Sequence, residues 1–171
     1  MKKQILAIGI LCLIGLGSCT KSDDDVTARS AKASESLNDF ECINKAADKS
    51  LTINEVKKKI YGEWQLAGMI TMLPTKEVPD IKVVFKDLPG STTKQLAEYY
   101  ENGKLKGSTT CTLKEETINQ ISYVTIASDV EMFDANTYNF IRGNIRICDE
   151  ELMIDNGMAF DAPAYLFRKK K

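Results

Sequence analysis

Thr52-Ile53-Asn54-Glu55-Val56-Lys57-Lys58-Lys59-Ile60-Tyr61-Gly62-Glu63-Trp64-Gln65-Leu66 contains the change of period on which the fold turns. Thr52 and Glu55 form a capping box, the threonine placed to cap the amide three residues on and the glutamate to reach back. Val56, Ile60 and Tyr61 follow at helical spacing, and Gly62 ends the helix. Beyond Gly62 the period becomes two. Ile81, Val83 and Phe85 alternate with Lys82 and Lys86, Leu96 and Tyr100 flank Glu98, and Ile141, Ile145 and Ile147 share one side of a strand whose other side carries Arg142, Asn144 and Arg146. Asn102-Gly103 is a two-residue hairpin signal and Asp155-Asn156-Gly157 a second turn.

These runs predict eight strands, over 63–71, 81–86, 95–101, 104–113, 118–127, 137–147, 150–155 and 163–168. Short consecutive strands joined by turns imply an antiparallel meander, and eight of them can close a barrel wide enough for a filled interior or one small ligand. The expectation is an all-β, eight-stranded antiparallel up-and-down barrel over 51–171, preceded by a short helix. A two-sheet sandwich is the alternative.

Upstream of the helix the chain changes character twice. Residues 1–18 hold Lys2 and Lys3, an apolar stretch from Ile5 to Leu16 and small residues ahead of Cys19, a secretory leader too short to span a bilayer. Leu16-Gly17-Ser18-Cys19 resembles a bacterial lipobox, which implies that Cys19 is diacylated on sulfur and becomes the new N-terminus. One acyl chain binds a membrane marginally, at about 0.8 kcal/mol per buried CH₂, so the further chains on the same residue make the anchoring stable. From 19 to 50 the composition is polar, and the segment reads as a flexible tether reaching on the order of 30 Å. Within it Ser22-Asp23-Asp24-Asp25 resembles the acidic signal that sends lipoproteins of Bacteroidetes to the outer cell surface. The expected location is the outer membrane, lipid-anchored and surface-exposed.

Composition excludes several function classes. With Lys2 and Lys3 removed, 23 basic residues become 21 against 24 acidic ones, a net charge of −3, which is no nucleic-acid footprint. Lys57-Lys58-Lys59 and Arg168-Lys169-Lys170-Lys171 read as a solvated helix face and a solubilising tail. The chain has no histidine, which removes Ser-His-Asp and Cys-His nucleophilic sites, histidine-ligated metals and an imidazole base. Asp149-Glu150-Glu151 and Glu115-Glu116 fall where hairpin turns are predicted and read as solvated acids. Asp134 and Asp161 in loops at one barrel end are the remaining carboxylate pair for glycoside chemistry. We expect no enzyme, no cofactor and no metal site. Of five cysteines, Cys12 leaves with the leader and Cys19 carries lipid, so Cys42, Cys111 and Cys148 remain, with three possible pairings for one disulfide.

Gly62-Glu63-Trp64 after a short helix resembles the opening of the lipocalin fold. Glu151-Leu152-Met153-Ile154-Asp155 and Asp161-Ala162-Pro163-Ala164-Tyr165-Leu166-Phe167-Arg168 are similar to the closing strands of small bacterial lipocalin-like lipoproteins, so the resemblance covers residues 52–168. It implies that Trp64 closes one end of the barrel and that Arg168 packs across it. A meander brings Gly62, Cys111, Cys148 and Arg168 to that closed end, with Cys42 just ahead of the helix, so Cys42 is expected to bridge to Cys111 or Cys148. The open end then carries apolar loop residues where polar turns are usual: Met72 and Leu73, Met132 and Phe133, Met158 and Phe160. Two functions compete on that rim. It binds a small apolar ligand at a cavity mouth, or the barrel is solid and its loops dock a partner envelope protein.

Overall fold

The computed structural model describes residues 31–45, 50–118, 120–129 and 140–171. Cys19, the run Ser22, Asp23, Asp24 and Asp25, and the loop residues Met132, Phe133 and Asp134 lie outside the described residues, as does the side chain of Phe160. In chain order the elements are β1 (Ala31–Ala33), a 3₁₀ turn at Leu37–Asp39, α1 (Glu41–Lys45), α2 (Ile53–Ile60), β2 (Gly62–Ile70), β3 (Glu77–Pro79), β4 (Ile81–Asp87), β5 (Lys94–Glu101), β6 (Lys104–Ile118), β7 (Ile121–Ser128), β8 (Arg142–Cys148), β9 (Glu151–Asp155), a 3₁₀ turn at Met158–Phe160, and β10 (Ala164–Lys169).

The period-two pattern does what it predicts. β2 and β4 to β10 close into one antiparallel barrel in the order β10-β2-β4-β5-β6-β7-β8-β9. Each barrel strand pairs with its successor along the chain, and the last pairs with the first, which is the expected eight-stranded up-and-down barrel behind a short helix. Closure leaves the barrel without an edge strand. β1 and β3 form a separate antiparallel pair outside it.

The helix α2 lies across the end of the barrel at which β2 starts. Its capping box is formed as read: the Thr52 side chain accepts from the Glu55 amide at 3.3 Å, and the Glu55 carboxylate accepts from the Thr52 amide at 2.8 Å. Val56 and Ile60 are fully buried and join the barrel core. Trp64 is likewise fully buried beneath them, its indole N–H donating to the Ile60 carbonyl at 2.6 Å. The turn into β2 depends on Gly62, whose φ of +115° a residue with a Cβ rarely adopts, and whose missing side chain leaves room for the Lys169 stem.

The opposite end is filled rather than open. Val78 from the connection between β2 and β4, and Phe140 and Ile141 from the connection between β7 and β8, are buried in the barrel core. Phe140 is the centre of an aromatic cluster. Its ring lies 4.7 Å from that of Tyr165 in edge-to-face geometry, 5.8 Å from Tyr99 and 6.4 Å from Phe167, all within the range in which aromatic pairs attract.

Four sequence expectations are corrected. The tether expected over 19–50 includes a structured strap: residues 31–45 lie on the outer face of β9, β10 and β2, where Phe40 and Ile43 are buried with Met153, Ala164 and Leu166. The Glu35 amide donates to the Ala67 carbonyl at 2.8 Å. The strap passes so close to β2 that a Cβ on Gly68 would sit 2.2 Å from the Glu35 carbonyl oxygen. Isolated apolar residues in a polar segment suffice here because the barrel's outer face supplies the rest of the cluster.

The second correction concerns β6. Expected to end at 113, it runs to Ile118, so Glu115 and Glu116 are strand residues opposite Val124 and Tyr123 rather than a turn. The third concerns β8, expected from 137, which begins only at Arg142 because Phe140 and Ile141 turn inward as core plugs. The fourth is Arg168. It does not pack over Trp64; its guanidinium lies 3.9 Å from the Phe40 ring on the outer face, and Lys169 supplies the cation 5.2 Å from the Trp64 ring. Strand parity is the reason. Tyr165 and Phe167 point into the barrel and Leu166 points out, so 168 is an outward position and 169 an inward one.

Candidate functional site

Three places on this framework can do more than hold it together. The first is the strap junction. Arg168 donates to the Glu35 carboxylate through Nε at 3.0 Å and Nη2 at 2.8 Å, to Glu151 through Nη1 at 2.7 Å, and to the Asp39 carbonyl at 2.6 Å. Glu151, 8% exposed, turns its other oxygen to the Ile43 amide at 2.9 Å. A guanidinium fork matched to carboxylates at this geometry is among the stronger polar contacts available. The Cys42–Cys148 disulfide joins the same strap to β8 across 106 residues of sequence.

That disulfide resolves the cysteine alternatives. Cys148 faces outward with the strap, whereas Cys111 faces into the barrel and is a buried free thiol whose sulfur lies 3.4 Å from the Gln95 carbonyl oxygen. The wall of the sheet separates them. Burial pushes the Cys111 thiol up to about 12. Cys42, Cys148 and Asp149 lie close enough together to hold a metal ion, but the two sulfurs are spent in the disulfide and offer no thiolate.

The second place is the open-end rim. The structure does not gather its described members into a mouth. Met72 and Leu73 project into solvent, 75% and 80% exposed, and Met158 packs sideways against the strap cluster. Between strap and loop lies an open hollow of about 320 Å³ lined by Leu37, Met69, Ile70, Pro74 and Met158. Below the rim the barrel axis is occupied by the Phe140 cluster. Asp161 sits in a tight turn with φ +64°, its amide bonded to the Met158 carbonyl.

The third place is a cleft in the barrel wall, which the sequence reading missed. β7 begins at Ile121 and β8 runs to Cys148, yet the ladder between them spans only Val124↔Ile145 to Ala127↔Arg142. Ile121–Tyr123 remain paired to β6, and Arg146–Cys148 remain paired to β9. The two strands therefore part at the α2 end, over three residues on each side. The gap is a cleft of about 320 Å³, more enclosed than the hollow at the strap. Val124, Ile145 and Ile147 form an apolar floor continuous with the core, Ile43 and Leu51 roof it, and Ile121 stands at its edge, half exposed. Lys59 from the last turn of α2, Arg146, Ser122, Tyr123 and Asp149 bring polar groups to the same space.

An apolar concavity with a few convergent polar groups is what small-molecule sites look like, and about 300 Å³ is the lower end of their usual size. Sequence pattern has no signal for it, since nothing in the alternation of β7 or β8 marks where their ladder stops. Compared with protein-family models, with curated proteins and with solved structures, the chain matches none.

Proposed function

We propose that this chain is a lipid-anchored, surface-exposed outer-membrane lipoprotein of lipocalin-like type whose barrel binds a small, largely apolar molecule, and that the molecule enters the wall cleft between β7 and β8 rather than the barrel mouth. The observation that carries the reading is the parted ladder over an apolar floor, in a barrel whose axis is already filled by Phe140, Tyr99, Tyr165 and Phe167. The leader, Cys19 and the acidic run from Ser22 to Asp25 support the anchoring and the address.

Residues 31–171 hold the closed sheet, both apolar clusters and the disulfide, so the site can be tested without the anchor. Such a domain is expected to take up Nile red, a neutral apolar dye, with enhanced emission. Ser122→Trp, which places an indole in the cleft from an exposed strand position, is expected to abolish most of that uptake while the denaturation midpoint stays within error. A wild-type domain that leaves the dye dark removes the reading. For the anchor, Cys19→Ser in the full chain is expected to lose metabolic labelling with a fatty acid, and unchanged labelling overturns it.

Docking of a partner envelope protein is the second reading, favoured by the two rim side chains Met72 and Leu73 standing bare beside the strap hollow. A photo-crosslinker at Leu73, used in intact cells, tests it: one recurrent envelope protein captured brings this reading forward, and no adduct removes it.

A further inference from the structure

We infer that the occupant of the β7–β8 cleft is an anionic amphiphile, its chain on the apolar floor and its acid group held by Lys59 and Arg146; the inference rests on the ligand-binding reading above. Two cations line a cavity whose base is Val124, Ile145 and Ile147. They come from different elements, Lys59 from the end of α2 and Arg146 from the outward side of β8. Among the described residues neither side chain makes an ion pair, whereas Arg168 on the neighbouring outer face is engaged by two carboxylates. Among the described residues Asp149 is the one carboxylate that lines the cleft, and it stands exposed on the β8–β9 turn beside the disulfide. Two positive charges against one negative leave the described lining of the cleft net positive, in a domain where acidic residues are otherwise in excess.

The chemistry follows from that arrangement. Cations at the lip of an apolar cleft lose part of their hydration without gaining a partner, and an acid group restores the balance through charge-assisted hydrogen bonds. A neutral apolar molecule gains the floor and leaves the cations unserved. A small inorganic anion gains the cations and leaves the floor wet. An amphiphile with a short acidic head satisfies both, and the cleft volume suits one chain rather than a folded partner. The planar fork of Arg146 suits a carboxylate or a phosphate ester alike, so the ligand is either a free fatty acid or the head and chain of an acidic membrane lipid.

Equilibrium dialysis of the 31–171 domain against radiolabelled decanoate and decanol, which share a chain and differ in the head, tests the charge. Decanoate is expected to bind at least tenfold more tightly than decanol. Arg146→Gln and Lys59→Gln are each expected to weaken decanoate about tenfold, the loss of one hydrogen bond to a charged group, with decanol binding and the denaturation midpoint unchanged. Arg146→Lys is expected to recover part of the loss. Equal binding of decanoate and decanol, both abolished by Ser122→Trp, overturns the anionic assignment and leaves the cleft reading standing; failure of both to bind overturns the two together. Co-sedimentation with phosphatidylglycerol vesicles but not phosphatidylcholine vesicles, lost in the Arg146→Gln variant, identifies the source as a membrane lipid. Decanoate binding without such sedimentation identifies a free acid.

Discussion

Phe140→Ala is expected to destabilise the domain by about 3–5 kcal/mol, the range for removing a fully buried phenylalanine. Phe140 is 0% exposed and is bordered by Tyr165, Tyr99 and Phe167 at ring separations of 4.7, 5.8 and 6.4 Å, so its removal leaves a void lined by aromatic rings that the rigid barrel wall cannot collapse to fill. The denaturant midpoint of the variant against the parent measures the loss, provided the slope of the transition is unchanged. The same void is expected to admit Nile red from the open end, and this uptake should persist when Ser122→Trp is added, because the two cavities are separate. A destabilisation below about 1 kcal/mol would mean that the ring contributes no core packing and that the barrel axis is available to a ligand after all.

Severing the Cys42–Cys148 disulfide is expected to cost about 2–4 kcal/mol, since it closes a loop of 106 residues and restricts the unfolded chain accordingly. The double variant Cys42→Ala with Cys148→Ala avoids leaving a lone reactive thiol. Its amide exchange should rise first over Glu35–Lys45, where the strap keeps the Phe40 and Ile43 contacts, the Arg168 and Glu151 bonds and the Glu35 amide bond to Ala67, while the β4–β6 amides change with global stability alone. Uniform loss of protection across strap and barrel would show instead that the strap is part of the same cooperative unit. In the oxidised parent, Cys111 is the thiol left among the described cysteines. Because burial holds it up to about 12, almost no thiolate exists at neutral pH, and alkylation should proceed only on unfolding.

Much of the barrel was legible along the chain, and the reason is local. Strands read at 81–86, 95–101, 150–155 and 163–168 are observed at Ile81–Asp87, Lys94–Glu101, Glu151–Asp155 and Ala164–Lys169, because each is a short period-two or apolar run bounded by turn residues, a signal written into neighbours. The capping box before α2 and the Asn102-Gly103 turn are local in the same sense. β6 was read short because Glu115-Glu116 resembles a turn, whereas both continue the strand opposite Val124 and Tyr123; β8 was read long because the apolar residues ahead of it serve something other than the strand. Phe140 and Ile141 continue the apolar pattern of β8, but they turn into the core ahead of it.

The candidate site was less legible, for a different reason. Arg168 and Lys169 are adjacent cations following Tyr165-Leu166-Phe167, a run apolar on both faces, so parity cannot be assigned without knowing that a strap covers the outer face. Once Phe40 and Ile43 lie there, Leu166 and Arg168 belong to the outside and Lys169 to Trp64. The choice of Cys148 over Cys111 as partner for Cys42 has the same origin, a difference in which side of the wall each sulfur faces.

By itself, then, the sequence determined the number and order of the barrel strands, the helix that caps them and the up-and-down closure that follows, since each depends on periodicity and turns within a few residues. Only the tertiary structure decided which way Arg168 and the cysteines face, that Phe140 fills the axis, and that β7 and β8 part to open a cleft over Ile145 and Ile147. Those features depend on contacts between segments tens of residues apart, where the free energy of a position comes from what packs against it and not from its neighbours in the chain.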